Sequence, residues 1–175
     1  RCKFKKEISK EMDVEDLGHA HYFLGVRIIR KNGAIYLCQD AYIEKILNTF
    51  YMESCHHEVR PMEVGAKDWL IPNSKQADLQ STCLFQRLMG SINYLSCQTR
   101  TDISFACNSI MKYLHNPSQA HIKGGKRILR YLAGSKYLVI KFERGNDERQ
   151  SLHGYSDANF ANYDMAGVTN WIGTD

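Results

Sequence analysis

The chain has 175 residues, 43% apolar and 24% charged, with a formal charge of +4. That is the composition of an ordinary globular sequence with room for one domain or two small ones. No run of about 18 apolar residues occurs, which excludes a membrane-spanning helix, and Arg1 is not followed by a charged-then-apolar leader. The mild positive charge permits a polyanionic partner without requiring one.

Taken in chain order, Phe4, Ile8 and Met12 recur every fourth residue and predict a short amphipathic helix over 3–12. Two β-prone runs follow, Tyr22 to Ile29 and Ala34 to Cys38, separated by Arg30-Lys31-Asn32-Gly33. Asn-Gly between such runs signals a hairpin. Ile43, Ile46, Leu47 and Phe50 stripe a helix from about Asp40, which could cap it, to Tyr51. Residues 53–81, with Pro61, Gly65 and Pro72, are polar and irregular and read as a linker region.

Three helices are predicted next, over about 82–97, 102–115 and 118–133. Leu84, Leu88, Ile92 and Leu95 stripe the first, and Ile103, Ala106, Ile110 and Leu114 the second, with Asp102 as a first-turn or capping carboxylate. Asn116-Pro117-Ser118 separates the second from the third, and Gly134 closes it. Short connections between helices of similar length imply antiparallel neighbours. The period then switches to strand over Tyr137 to Phe142 and Leu152 to Phe160, with Trp171-Ile172 starting another.

Six cysteines show no C-x-x-C pair. Cys83, Cys97 and Cys107 fall in helical patterns and are expected as small buried residues. Cys55-His56-His57, even with His19 and His21 upstream, lacks the paired spacing of a structural zinc site. Reduced thiols in a cytoplasmic or nuclear compartment are expected.

Lys123, Arg127 and Arg130 fall at i, i+4 and i+7 on the third helix, with Lys126 beside them. Such a stripe suits salt-dependent, sequence-independent contact with a phosphate backbone. A solvated helix face explains it equally well. Arg127-Ile128-Leu129-Arg130 is also formally an R-x-L-R string of the kind used by secreted oomycete effectors. Its mid-helix position, with Leu129 on the apolar side, argues against that use.

Four blocks share one further property. Asp16-Leu17-Gly18 with Tyr22-Phe23-Leu24-Gly25-Val26, then Phe85 to Leu95, then Thr99-Arg100-Thr101-Asp102-Ile103 with Arg127 to Gly134, then Gly154 to Ala161, stand in fixed order. Together they resemble the copia-type retrotransposon Pol polyproteins. The resemblance implies an α+β chain. Residues 1–60 would be the end of a reverse transcriptase palm with hairpin and helix, and 61–81 a linker. Residues 82–134 would be an antiparallel three-helix thumb and connection unit, and 135–175 the first strands of a truncated RNase H-like α/β domain whose strands lack partners.

The same resemblance implies an RNA-directed DNA polymerase with RNase H activity as parent, using Mg2+, and an RNA–DNA hybrid or template–primer duplex and the rest of the polyprotein as partners. No membrane partner is implied. Phe23, Leu24 and Gly25 would match the primer grip, though an ordinary hairpin would also contain such residues. Asp157 would match the first metal-binding carboxylate of RNase H. No Tyr-x-Asp-Asp occurs in the sequence, and two-metal chemistry needs converging carboxylates, so this stretch is expected to be catalytically incomplete. The alternative is a non-enzymatic, co-opted helical interaction module or a transposon remnant. Thr101 in place of proline, Asn159 in place of an acid, and the poor match of Met165 to Trp171 read as drift from the family pattern.

Overall fold

Asn32 and Gly33 both have positive φ, 51° and 75°, the backbone of a type I′ turn whose twist suits a hairpin. The turn joins β2 (Val26–Lys31) to β3 (Ala34–Cys38), with Lys31 opposite Ala34. A second tight turn at Leu24-Gly25, with φ of 47° and 73°, folds β1 (Tyr22–Phe23) back onto β2. On the other side of the sheet β4 (Ile140–Phe142) runs antiparallel to β3, placing Phe142 opposite Ile35 and Ile140 opposite Leu37. The computed structural model describes residues 2–15 and 17–143. The described residues form a four-stranded antiparallel sheet in the order β1-β2-β3-β4 and five α-helices.

The strand expected over Tyr137 to Phe142 is therefore shorter than its sequence pattern, and it is not partnerless. The predicted strands at Leu152 to Phe160 and Trp171-Ile172, and Asp157 itself, lie outside the described residues.

The helices are α1 (Cys2–Glu11), α2 (Asp40–Thr49), α3 (Leu79–Gln98), α4 (Ser104–Met111) and α5 (Gln119–Gly134). A single-turn 3₁₀ helix at Thr101–Ile103 leads into α4. One hydrophobic cluster holds α2 to α5 together: Ile43, Ile46 and Leu47 of α2 share it with Phe85, Met89, Ile92 and Leu95 of α3, Ala106 and Ile110 of α4, and Ile128, Leu129 and Leu132 of α5. Each of the Ile, Leu, Met and Phe side chains among them contributes roughly 1.5–3 kcal/mol on leaving water. The described chain is thus α+β, with an antiparallel sheet joined in sequence to a helical core.

Several local expectations are corrected. Leu84 is exposed and Phe85 is fully buried in its place. Cys107 is buried, but Cys83 and Cys97 are exposed. Asp40 does not cap α2; Gln39 precedes the helix without a side-chain cap bond, and the Asp40 carboxylate receives Arg27 at 2.5 Å. Helix α3 begins three residues earlier than predicted, at Leu79, because the Asp78 carboxylate accepts from Ser81 N–H at 2.8 Å and caps it. Gly134 has no left-handed backbone. A Cβ there would meet His57 Cβ at 3.1 Å, so the glycine makes room for a neighbour.

Residues 53–78 have little regular structure yet lie against the helices. Trp69 packs so closely on α5 that a Cβ at Gly124 would come within 2.7 Å of its ring. Tyr113 donates to Leu70 C=O at 2.5 Å, and Asn116 and Asn73 each donate to the other's side of the contact, Asn116 to Asn73 C=O at 3.2 Å and Asn73 to Pro117 C=O at 3.0 Å.

Candidate nucleic-acid interface

Arg100 has only 2% of its surface exposed, and an arginine cannot shed its charge. Everything around it answers that requirement. Its guanidinium makes a bidentate pair with Asp102, Nε to Oδ1 at 2.9 Å and Nη2 to Oδ2 at 2.7 Å. It also donates to Ser135 C=O at 3.1 Å and to Ser135 Oγ at 2.7 Å. Ser135 is the residue that ends α5, so Arg100 satisfies a carbonyl the helix leaves open. Tyr131 completes the group by donating to Asp102 Oδ2 at 2.7 Å, while Arg100 lies 5.5 Å over its ring.

Burial by itself would raise the Asp102 carboxyl. The hydrogen bonds from Arg100 and Tyr131 and the Arg100 charge outweigh it and hold the carboxyl below its ordinary range. Burial, and then the Asp102 contact, push the Tyr131 hydroxyl up. The Thr99-Arg100-Thr101-Asp102-Ile103 block therefore builds a clasp between the α3–α4 junction and the end of α5. Thr99, next to it, reaches the start of α2 by donating to Gln39 Oε1 at 2.8 Å.

The hairpin tip presents a different surface. Phe23 and Leu24 are exposed, and Leu24 sits in the left-handed region, where an L side chain costs roughly 1–2 kcal/mol. Tyr94 of α3 donates its hydroxyl to Leu24 C=O, and Tyr42 of α2 meets the Tyr94 ring edge-on at 5.1 Å. The tip is held from behind while its apolar side chains face outward. Gly25 has Tyr94 Oη 3.8 Å from where a Cβ would stand.

On α5 the four basic residues divide. Lys123 and Lys126 are exposed, and among the described residues neither has an ion-pair partner. Arg127 is held by Glu58 at 2.9 Å and Glu63 at 3.0 Å, and Arg130 by Glu58 at 3.6 Å. Lys136, just past the helix, pairs with Glu44 at 2.8 Å. The acidic partners come from the irregular segment and from α2, and nothing in the sequence beyond their opposite charge marks them. Leu129 is fully buried, so the R-x-L-R string is two ion-paired arginines flanking core residues.

His121 is another group the stripe argument missed. Fully buried, it stacks on Tyr113 with ring centroids 4.1 Å apart. Its Nδ1 accepts from Ser118 N–H at 3.0 Å while Ser118 Oγ accepts from His121 N–H at 3.3 Å. The two residues cap α5 reciprocally, with histidine in a position usually held by Glu or Gln. Burial lowers its pKa, against a smaller opposing effect of the Ile71 and Trp69 carbonyls.

Among the described residues no group of three or more His, Cys, Asp or Glu side chains could hold a metal ion. Among the same residues no helix is long and apolar enough to cross a membrane.

The family model for reverse transcriptase (RNA-dependent DNA polymerase) matches residues 2–64, the stretch that contains α1, the hairpin and α2. Over 154 residues, 88% of this chain, the sequence is 36% identical to the retrovirus-related Pol polyprotein from transposon RE1 of Arabidopsis thaliana, covering 10% of that protein. Over 165 residues it is 32% identical to the Pol polyprotein from transposon TNT 1-94 of Nicotiana tabacum, covering 91% of this chain and 12% of the relative. A shorter match, 34% over 73 residues, joins 42% of the chain to 50% of a secreted RxLR effector protein of Plasmopara viticola. No solved structure matches. The chain belongs to the copia-type retrotransposon Pol polyproteins, with reverse transcriptase sequence at its start. It spans about a tenth of the length of the Pol relatives it matches.

Proposed function

We propose that this chain is the part of a retrotransposon Pol polyprotein that grips template–primer duplex and that it does not polymerise on its own. The observation that carries the reading is the hairpin tip. It lies inside the stretch matched by the reverse transcriptase family, is braced by Tyr94, and exposes Phe23 and Leu24 beside Gly25. Lys123 and Lys126, joined by Arg127 and Arg130, would meet phosphate from α5. Residues 1–60 would be the palm end, 61–81 a connecting segment, and 82–134 thumb and connection. The pairing of β4 with β3 supports starting the RNase H-like part after Phe142 rather than at residue 135. Asp157 would supply that part's first carboxylate, and Mg2+, polymerase and RNase H activity would belong to the parent polyprotein. The parent would work inside the cell, in cytoplasm or nucleus.

A protein-binding role is favoured by one observation: Ile35 and Phe142 are paired across the sheet and both stay exposed. Titrating the chain against a labelled RNA–DNA hybrid at graded salt separates the two. A grip on phosphate makes log K fall linearly with log salt, and Lys123→Ala with Lys126→Ala should flatten that slope by about one to two. Leu24→Asn, which suits the left-handed turn better, should keep the fold and weaken binding. Binding that ignores salt, or none by the unaltered chain, overturns the grip.

A further inference from the structure

We propose that Glu58 and Glu63 form an autoinhibitory anion that occupies Arg127 and Arg130 in place of nucleic-acid phosphate; this rests on the grip reading above. The geometry is that of a phosphate stand-in. Glu58 bridges both arginines, Oε2 to Arg127 at 2.9 Å and Oε1 to Arg130 Nε at 3.6 Å, and Glu63 takes a second guanidinium nitrogen of Arg127 at 3.0 Å. Two carboxylates against two guanidiniums cancel the charge of the central pair and leave only Lys123 and Lys126 exposed as cations on the stripe.

Three features make the occupant displaceable. The acids sit on a segment without regular structure between α2 and the 3₁₀ turn at Ala66–Asp68. The Glu63 side chain is 53% exposed, and a carboxylate held in this much solvent contributes little to stability through its ion pair. Arg127 Nε has no acceptor among the described residues, so the acids do not satisfy the whole guanidinium. A duplex backbone brings a row of phosphates that can hold both arginines at once and releases counterions in doing so.

The experiment is hybrid binding at graded salt by Glu58→Gln/Glu63→Gln, beside the unaltered chain and the Lys123→Ala/Lys126→Ala variant. Freed arginines should tighten binding roughly tenfold or more at about 0.1 M salt and steepen the salt slope by about one to two. Adding Arg127→Ala/Arg130→Ala should cancel the gain. Unchanged affinity and slope in the glutamine variant, while the lysine variant still loses binding, overturns the inference and leaves the grip standing. Loss of salt-sensitive binding in every form, the unaltered chain included, means that the grip itself fails. Should the double variant not fold, Glu63→Gln alone leaves Glu58 in place, and a gain of about threefold is expected; no gain overturns the inference.

Discussion

Arg100 shows how a sequence signature can be structural. Its neighbours Asp102, Tyr131 and Ser135 lie 2, 31 and 35 positions on; Asp102 and Ser135 contribute two oxygens each, and Tyr131 its ring, to an ion taken almost wholly from water. Removing a partner from such a pair leaves the other charge stranded, which costs more than the pair is worth. Asp102→Ala is therefore expected to destabilise the chain by about 3 kcal/mol in chemical denaturation, and Asp102→Asn by less, since the amide still accepts one hydrogen bond. Thr101 is the first residue of the 3₁₀ turn and is exposed. That is a position where proline or another residue fits, so this departure from the family pattern leaves the clasp intact. The pairing of Arg100 with Asp102 could be suspected from their spacing. Its extension to Tyr131 and Ser135 could not, because it depends on where α5 ends.

At the scale of elements, periodicity found the helices and misjudged their edges. In α3, Leu84 and Phe85 stand four and three positions before Leu88, and both spacings are helical; packing selected Phe85. Side-chain caps set the starts of α3 and α5. For α5 the cap is the Ser118–His121 pair, and the imidazole makes the helix sensitive to acid. The folded pKa is depressed by burial, so below the unfolded value of about 6.5 the unfolded chain takes up a proton that the folded chain resists. Stability from this group is complete above that pH and is lost as pH falls through the window beneath it. A proton on Nδ1 would also end its role as acceptor for Ser118 N–H. The urea midpoint should fall between about pH 7 and pH 5, and His121→Gln should remove most of that slope. A slope unchanged in the variant would assign it to other groups.

The whole molecule turns on what β4 does. Its strand pattern was plain in the sequence, and the resemblance assigned it to a following domain with no partner. Instead it completes the sheet begun by the hairpin about a hundred residues earlier, after the chain has passed through the helical core. Strand pairing slows amide exchange exponentially with the free energy of local opening. The amides that bond across β3 and β4 should thus exchange more slowly than those of residues 12–15 and 17–20, which lie outside helices and strands. Equal, fast exchange in both would remove β4 from the sheet.

The sequence by itself determined the class of chain, the Asn32-Gly33 turn and the existence of the helices. Family blocks, turn chemistry and 3.6-residue periodicity are all local properties written in neighbouring residues. Tertiary structure alone decided that Arg127 and Arg130 are neutralised by Glu58 and Glu63, that Arg100 closes the end of α5, and that β4 joins β3. Each of those contacts joins residues some 35 to 105 positions apart. No local pattern encodes a distance that only the packed core establishes.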